Sequence, residues 1–185
     1  MLILIAQTQT ALSVTQRNKG EAMNDRFLNN LEHAYLAYRC SASWCIEASR
    51  SKLPFDLCGL KITKSTQFNS ILIELGWAFT PRFYAILESF HIAIGYDKFE
   101  PFKKEYLIKK FTPEDVIGFE VLTKLRNIIM HGDGDEQAVR PTNRLNLPKD
   151  NEPHLLPKAM EQFYDLLKRL FSSADLVNKE PTGDA

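Results

Sequence analysis

At 185 residues with 44% hydrophobic content, the chain is long enough for one substantial core and too apolar for wholesale disorder. Its 23 basic and 23 acidic residues cancel, which excludes bulk electrostatic attraction to nucleic acid and makes any such contact local. Three cysteines, Cys40, Cys45 and Cys58, form no Cys-x-x-Cys pair and have no histidine cluster beside them, so reduced, cytoplasmic thiols are a simpler account than a disulfide scaffold or metal knuckle.

The first ten residues are apolar for only six positions and lack a basic leading region, too little for a signal peptide or a membrane span. Residues 1–20 therefore read as a flexible leader, 21–172 as one helical domain and 173–185 as a flexible tail. The first helix is expected from Glu21 to Ala48. Phe27, Leu31, Ala34, Tyr35, Tyr38, Ala42 and Cys45 recur there at three- and four-residue intervals, with His33 off the stripe. At that spacing the tyrosines are core or boundary residues rather than a base-stacking face, and Cys40 and Cys45 are small buried or half-buried side chains. Ser49–Ser70, with Pro54 and Gly59, is a long connection with room for a short extended piece at Leu60–Thr63.

Phe68–Ile94 is the most apolar long segment. Its stripe is interrupted at Thr80-Pro81, where threonine as cap and proline at the first helical position suit a restarted helix, and a kinked continuous helix is equally allowed. Glu88 falls inside this apolar surface, placed to support Arg126 rather than to act as a base. His91 is either a packed helical residue or an extension of a cleft, the packed reading being favoured. Gly95–Lys110 mixes aromatics with five lysines. Lys103 and Lys104 stand out there as candidate phosphate contacts, and a solvated linker is the alternative.

Thr112-Pro113-Glu114-Asp115 is a helix start: threonine as cap, proline at the first position and Asp115 placed for a reciprocal capping box. The helix it opens carries Val116, Phe119, Leu122, Leu125 and Ile129 on its apolar face and ends in Arg126-Asn127, three residues, then His131-Gly132. Asn127 and His131, four apart, share a face, and the long stem of Arg126 lets its guanidinium swing toward them. An imidazole exchanges protons near neutral pH, and a guanidinium clamps a phosphoryl group through parallel hydrogen bonds, so a phosphodiester suits the pair. Asp133–Pro153 is a polar loop from which Arg140 and Arg144 can reach a bound phosphate backbone. Asp133 and Asp135 lack the remaining oxygens of a calcium loop, and no metal or cofactor is expected. Leu155–Phe171 is the last amphipathic helix.

The Arg126-Asn127-x3-His131-Gly132 signature at a helix end, preceded by two long apolar-patterned helical regions, resembles that of HEPN domains. The resemblance covers residues 21–172 and is sharp only at the motif. It implies an all-α bundle of four to five helices, up-and-down-like in connection, with Arg126, Asn127 and His131 as the catalytic set. It further implies a metal-independent endoribonuclease of the toxin or antiphage-defence type, cytoplasmic, with RNA as substrate, acting as a homodimer whose two motifs share one cleft. The alternative within the same resemblance is a noncatalytic interaction or nucleotide-sensing module in a larger assembly. Some members of the family are silenced by nucleotide transfer onto a tyrosine two positions after the histidine. Asp133 stands there, so an antitoxin or defence-system partner of another kind is the implied one.

Overall fold

The computed structural model describes residues 2–50, 53–57, 60–64, 66–131 and 157–173, and for 2–20, Phe55, Leu57, Leu60 and His131 the course of the backbone alone. Its elements in order are α1 (Leu2–Ser49), a hairpin of β1 (Phe55–Leu57) and β2 (Leu60–Ile62), α2 (Thr66–Ala93), a joined segment of α3 (Phe99–Phe102), a π-helical turn (Lys103–Leu107) and α4 (Ile108–Lys110), then α5 (Pro113–His131) and α6 (Pro157–Ser173). Apart from the hairpin, the regular structure among the described residues is helical, as the periodicity predicts. No described helix is long and apolar enough to cross a membrane.

Ring and side-chain contacts fix how the helices run. Phe27 meets Phe90, and Tyr38 meets Phe79, so α1 and α2 are antiparallel. Tyr35 stacks on Tyr164 while Phe27 meets Phe171, which sets α6 antiparallel to α1. Asp115 pairs with Arg169 and Gly118 lies against Leu166, which sets α5 antiparallel to α6. The four long helices therefore alternate up, down, up, down, with α1 and α5 each packed against α2 and α6. Their stripes meet in one core, in which Leu31, Tyr38, Phe83, Phe90, Phe119, Leu122, Phe163 and Phe171 are fully buried. A smaller cluster of Ala48, Ile62 and Phe68 seats the hairpin.

Two expectations need correcting, and at two further places the structure decides what the sequence leaves open. Helix α1 begins at Leu2 rather than near Glu21. Residues 2–19 contain neither proline nor glycine, and the isolated Gly20 costs a helix only about 1 kcal/mol relative to alanine. At Thr80-Pro81 there is no restart: α2 runs through Pro81, and the buried Thr80 hydroxyl donates to the Gly76 carbonyl at 2.9 Å instead of capping a new helix. Packing on both sides outweighs the hydrogen bond that proline cannot make. Cys40 is exposed whereas Cys45 is buried, because only Cys45 falls on the core stripe. Finally, Gly95–Lys110 is largely helical rather than a linker.

Helix α2 stops where glycine permits it. Gly95 takes φ +90°, its N–H donates to Ile92 O at 2.9 Å, and the Tyr96 N–H donates to His91 O at 2.8 Å, the paired bonds of a Schellman motif. His91 is packed: 2% exposed, Nδ1 2.6 Å from the Tyr96 carbonyl and its ring stacked on Phe102. That removes it from any cleft and makes it part of the corner from which the lysine-rich segment starts.

Candidate active site

Helix α5 is set at its start by the predicted cap. The Asp115 N–H donates to Thr112 Oγ1 at 3.3 Å, and the Val116 N–H donates to Thr112 O at 3.1 Å. The Asp115 carboxylate ties α5 to α6 through Arg169. Val121, Leu122 and Leu125 are buried, so the residues that follow them are placed at the edge of the core.

At that edge Arg126 and Asn127 are half-buried and joined directly, with Arg126 Nη1 donating to Asn127 Oδ1 at 3.0 Å. The guanidinium also lies over the ring of Tyr84 in α2, 5.1 Å from its centroid. Tyr84 is 7% exposed and its phenol is held above its ordinary pKa, first by burial and then by the Glu88 carboxylate, while Arg126 pulls the other way. Glu88 and Arg126 therefore act on one tyrosine in opposite senses. Tyr84 itself was not singled out from sequence. It lies on the apolar stripe of α2, and its one sequence signal is Glu88 a turn later on an otherwise apolar surface.

The backbone of His131 is the last residue of α5. Its side chain lies outside what the structure describes, as do Arg140, Arg144, Asp133 and Asp135. Of the lysines, Lys104 is exposed, whereas Lys103 Nζ is bound by Glu100 and Glu120 carboxylate oxygens, each at 2.9 Å. Those contacts hold its pKa above the ordinary lysine value, the Glu100 hydrogen bond contributing most. Lys103 thus links the 99–110 segment to α5, and an incoming phosphate must compete with two carboxylates for it. Lys110 lies over Tyr106, 5.0 Å from the ring centroid. Among the described residues, no group of three or more His, Cys, Asp or Glu side chains could hold a metal ion.

The fold and site together define a small helical bundle in which a neutral amide and an aromatic ring orient a guanidinium near the end of one core helix. No family model, no curated protein and no solved structure matches the chain.

Proposed function

We propose that the protein is a metal-independent endoribonuclease, a toxin or antiphage-defence effector acting in the cytoplasm. The observation that supports this reading is the placement of Arg126 by Asn127 and Tyr84, five residues before His131 ends α5. His131 takes the proton of an RNA 2′-hydroxyl, whose oxygen attacks the adjacent phosphorus, and Arg126 stabilises the charge that grows on the non-bridging oxygens. The bond from phosphorus to the 5′-oxygen breaks, and that oxygen takes a proton from the second acid, the partner subunit's His131. The products are a 2′,3′-cyclic phosphate and a 5′-hydroxyl end. Asn127 keeps the guanidinium in register with the imidazole.

The test is cleavage of a set of single-stranded and stem-loop RNAs by the whole chain and by His131→Ala. Turnover in the variant should fall by roughly 10²-fold or more, with helix content and assembly mass unchanged. A DNA copy of a cleaved RNA lacks the attacking hydroxyl and should survive. Full activity in His131→Ala, or equal cleavage of DNA, rejects the mechanism. A wild-type chain inert on all the RNAs favours the noncatalytic interaction or nucleotide-sensing module.

A further inference from the structure

The outward face of α1 carries a second pattern. Its core stripe, Leu31, Ala34, Tyr38, Ala42 and Cys45, points into the bundle. On the opposite side lie His33, Leu36, Cys40, Trp44 and Glu47, at the three- and four-residue spacing of a second helix-packing seam. Leu36 is 60% exposed and Trp44 is 45% exposed, and Ile46 on the flank is also exposed. These are large apolar side chains in water on a helix whose opposite stripe already fills the core. Small residues, Ala37, Cys40 and Ser43, lie among them, so another backbone can approach closely.

The seam is unlike at its two ends. Toward the N-terminal half there is a groove of about 620 Å³ around Leu36, walled by Glu32, Arg39 and Tyr164. Toward the C-terminal half the surface carries the exposed Trp44 and Ile46, with Glu47 and Arg50 paired to each other at 2.8 Å beside them. A two-fold axis through Cys40, relating antiparallel copies of α1, places residue 40 − n opposite residue 40 + n. Leu36 then meets Trp44 of the other copy, Ile46 falls over the groove, His33 faces Glu47, and Glu32 lies within a turn of Arg50 on the same flank. Exposed apolar side chains then meet the groove, and the Glu47–Arg50 ion pair lies over His33 and Glu32, twice over, as an isologous contact requires. A parallel pairing would set Glu47 against Glu47 and leave groove against groove.

We propose that the outer face of α1, centred on Cys40, is a docking surface for a second copy of this chain in antiparallel register. The inference does not depend on the chemistry of the motif. Helix α5 packs against α2 and α6, whereas the seam faces away from the core, so pairing here leaves the motif of each copy available to a separate contact. A seam of about four helical turns belongs to the small, weak class of interfaces, below about 1,200 Å².

Sedimentation of the whole chain up to several hundred micromolar should show a reversible association that doubles the mass of the species present at low concentration. Leu36→Glu and Trp44→Glu, both at exposed positions, should each weaken it by roughly tenfold or more with the helical circular dichroism unchanged. Glu47→Lys should weaken it too, and His33→Glu added to Glu47→Lys should restore it, which no parallel register allows. A short bismaleimide should join two wild-type chains through Cys40 and fail to join Cys40→Ser chains. A mass that does not double over these concentrations overturns the proposal. So does an association indifferent to Leu36→Glu, or a cross-link that persists in Cys40→Ser. If the motif cleft is also built from two copies, Leu36→Glu changes the mass and leaves RNA cleavage intact, and a failure of either reading is seen separately.

Discussion

Two cations at helix α5 are held in opposite ways. Lys103 reaches it from the preceding segment and is bound by the carboxylates of Glu100 and Glu120, each at 2.9 Å. Arg126, on α5 itself, is oriented by the Asn127 amide oxygen and the Tyr84 ring. Carboxylates fix a cation by setting a full opposite charge against it, whereas an amide oxygen and a ring face contribute orientation through partial charges. The first arrangement is a tie between elements. The second orients a guanidinium in advance, and the role proposed for Arg126 depends on that, since donors must be positioned before the charge they meet develops.

The largest effect should separate the two directly. Arg126→Ala is expected to lower RNA cleavage by roughly 10²- to 10³-fold, the range seen when a single oxyanion-stabilising donor is removed. Lys103→Ala, measured beside it, should stay within about threefold of wild type, because its ammonium already serves two carboxylates. Thermal unfolding must accompany both assays. Equal losses of turnover at matched stability would erase the distinction.

The next effect concerns the ring. Tyr84→Ala removes a nearly buried aromatic side chain and should destabilise the fold by about 3 kcal/mol. Tyr84→Phe keeps the face on which Arg126 lies and should hold both stability and cleavage close to wild type. A phenylalanine variant as impaired as the alanine one would show that the hydroxyl, rather than the ring face, is what Arg126 and Glu88 depend on.

A smaller effect belongs to the start of α5. Thr112→Ala should cost about 1 kcal/mol in chemical denaturation, through loss of the cap to the Asp115 N–H. Cleavage should not change below the melting temperature, since the motif begins nearly four turns away along the helix. A fall in turnover without a fall in stability would mean that the cap sets the position of Arg126.

These ends of α5 also differ in how far the sequence discloses them. The cap, the proline behind it and the apolar stripe are local: Thr112, Pro113 and the spacing of Phe119, Leu122 and Leu125 specify them within a few residues of one another. Helical periodicity likewise placed Phe27, Leu31 and Tyr38 inside and His33 outside. It says which face of a helix is buried and not which neighbour covers it. Tyr84 beneath Arg126, and Glu120 against Lys103, are therefore products of how α2, α5 and the lysine-rich segment pack. Pro81 leaves a restart and a continuous helix equally open for a related reason, because a local breaker does not disclose the burial on both sides of α2 that carries the helix through it. Charge counting treated Lys103 and Lys104 alike, and only the three-dimensional partner of the first tells them apart.

The finest test of the comparison is the alkaline stability of Lys103→Met. Its carboxylate partners raise the lysine pKa in the folded chain above the ordinary 10.5, so the native state holds a proton that the unfolded chain releases first. The contribution is complete below pH 10.5, and it is lost as the pH climbs through the folded value. Because Glu100 is largely exposed, the tie should be worth no more than about 1 kcal/mol at neutral pH. Burial also pushes the Tyr38 and Tyr84 phenols up, so the wild type has other reasons to weaken in alkali, and only the difference between the two chains isolates the lysine. That difference should be constant from pH 7 to 10 and shrink above it in urea titrations. A gap that widens with alkali would mean that Lys103 is stabilised as the neutral amine, and that the carboxylates at 2.9 Å do not govern it.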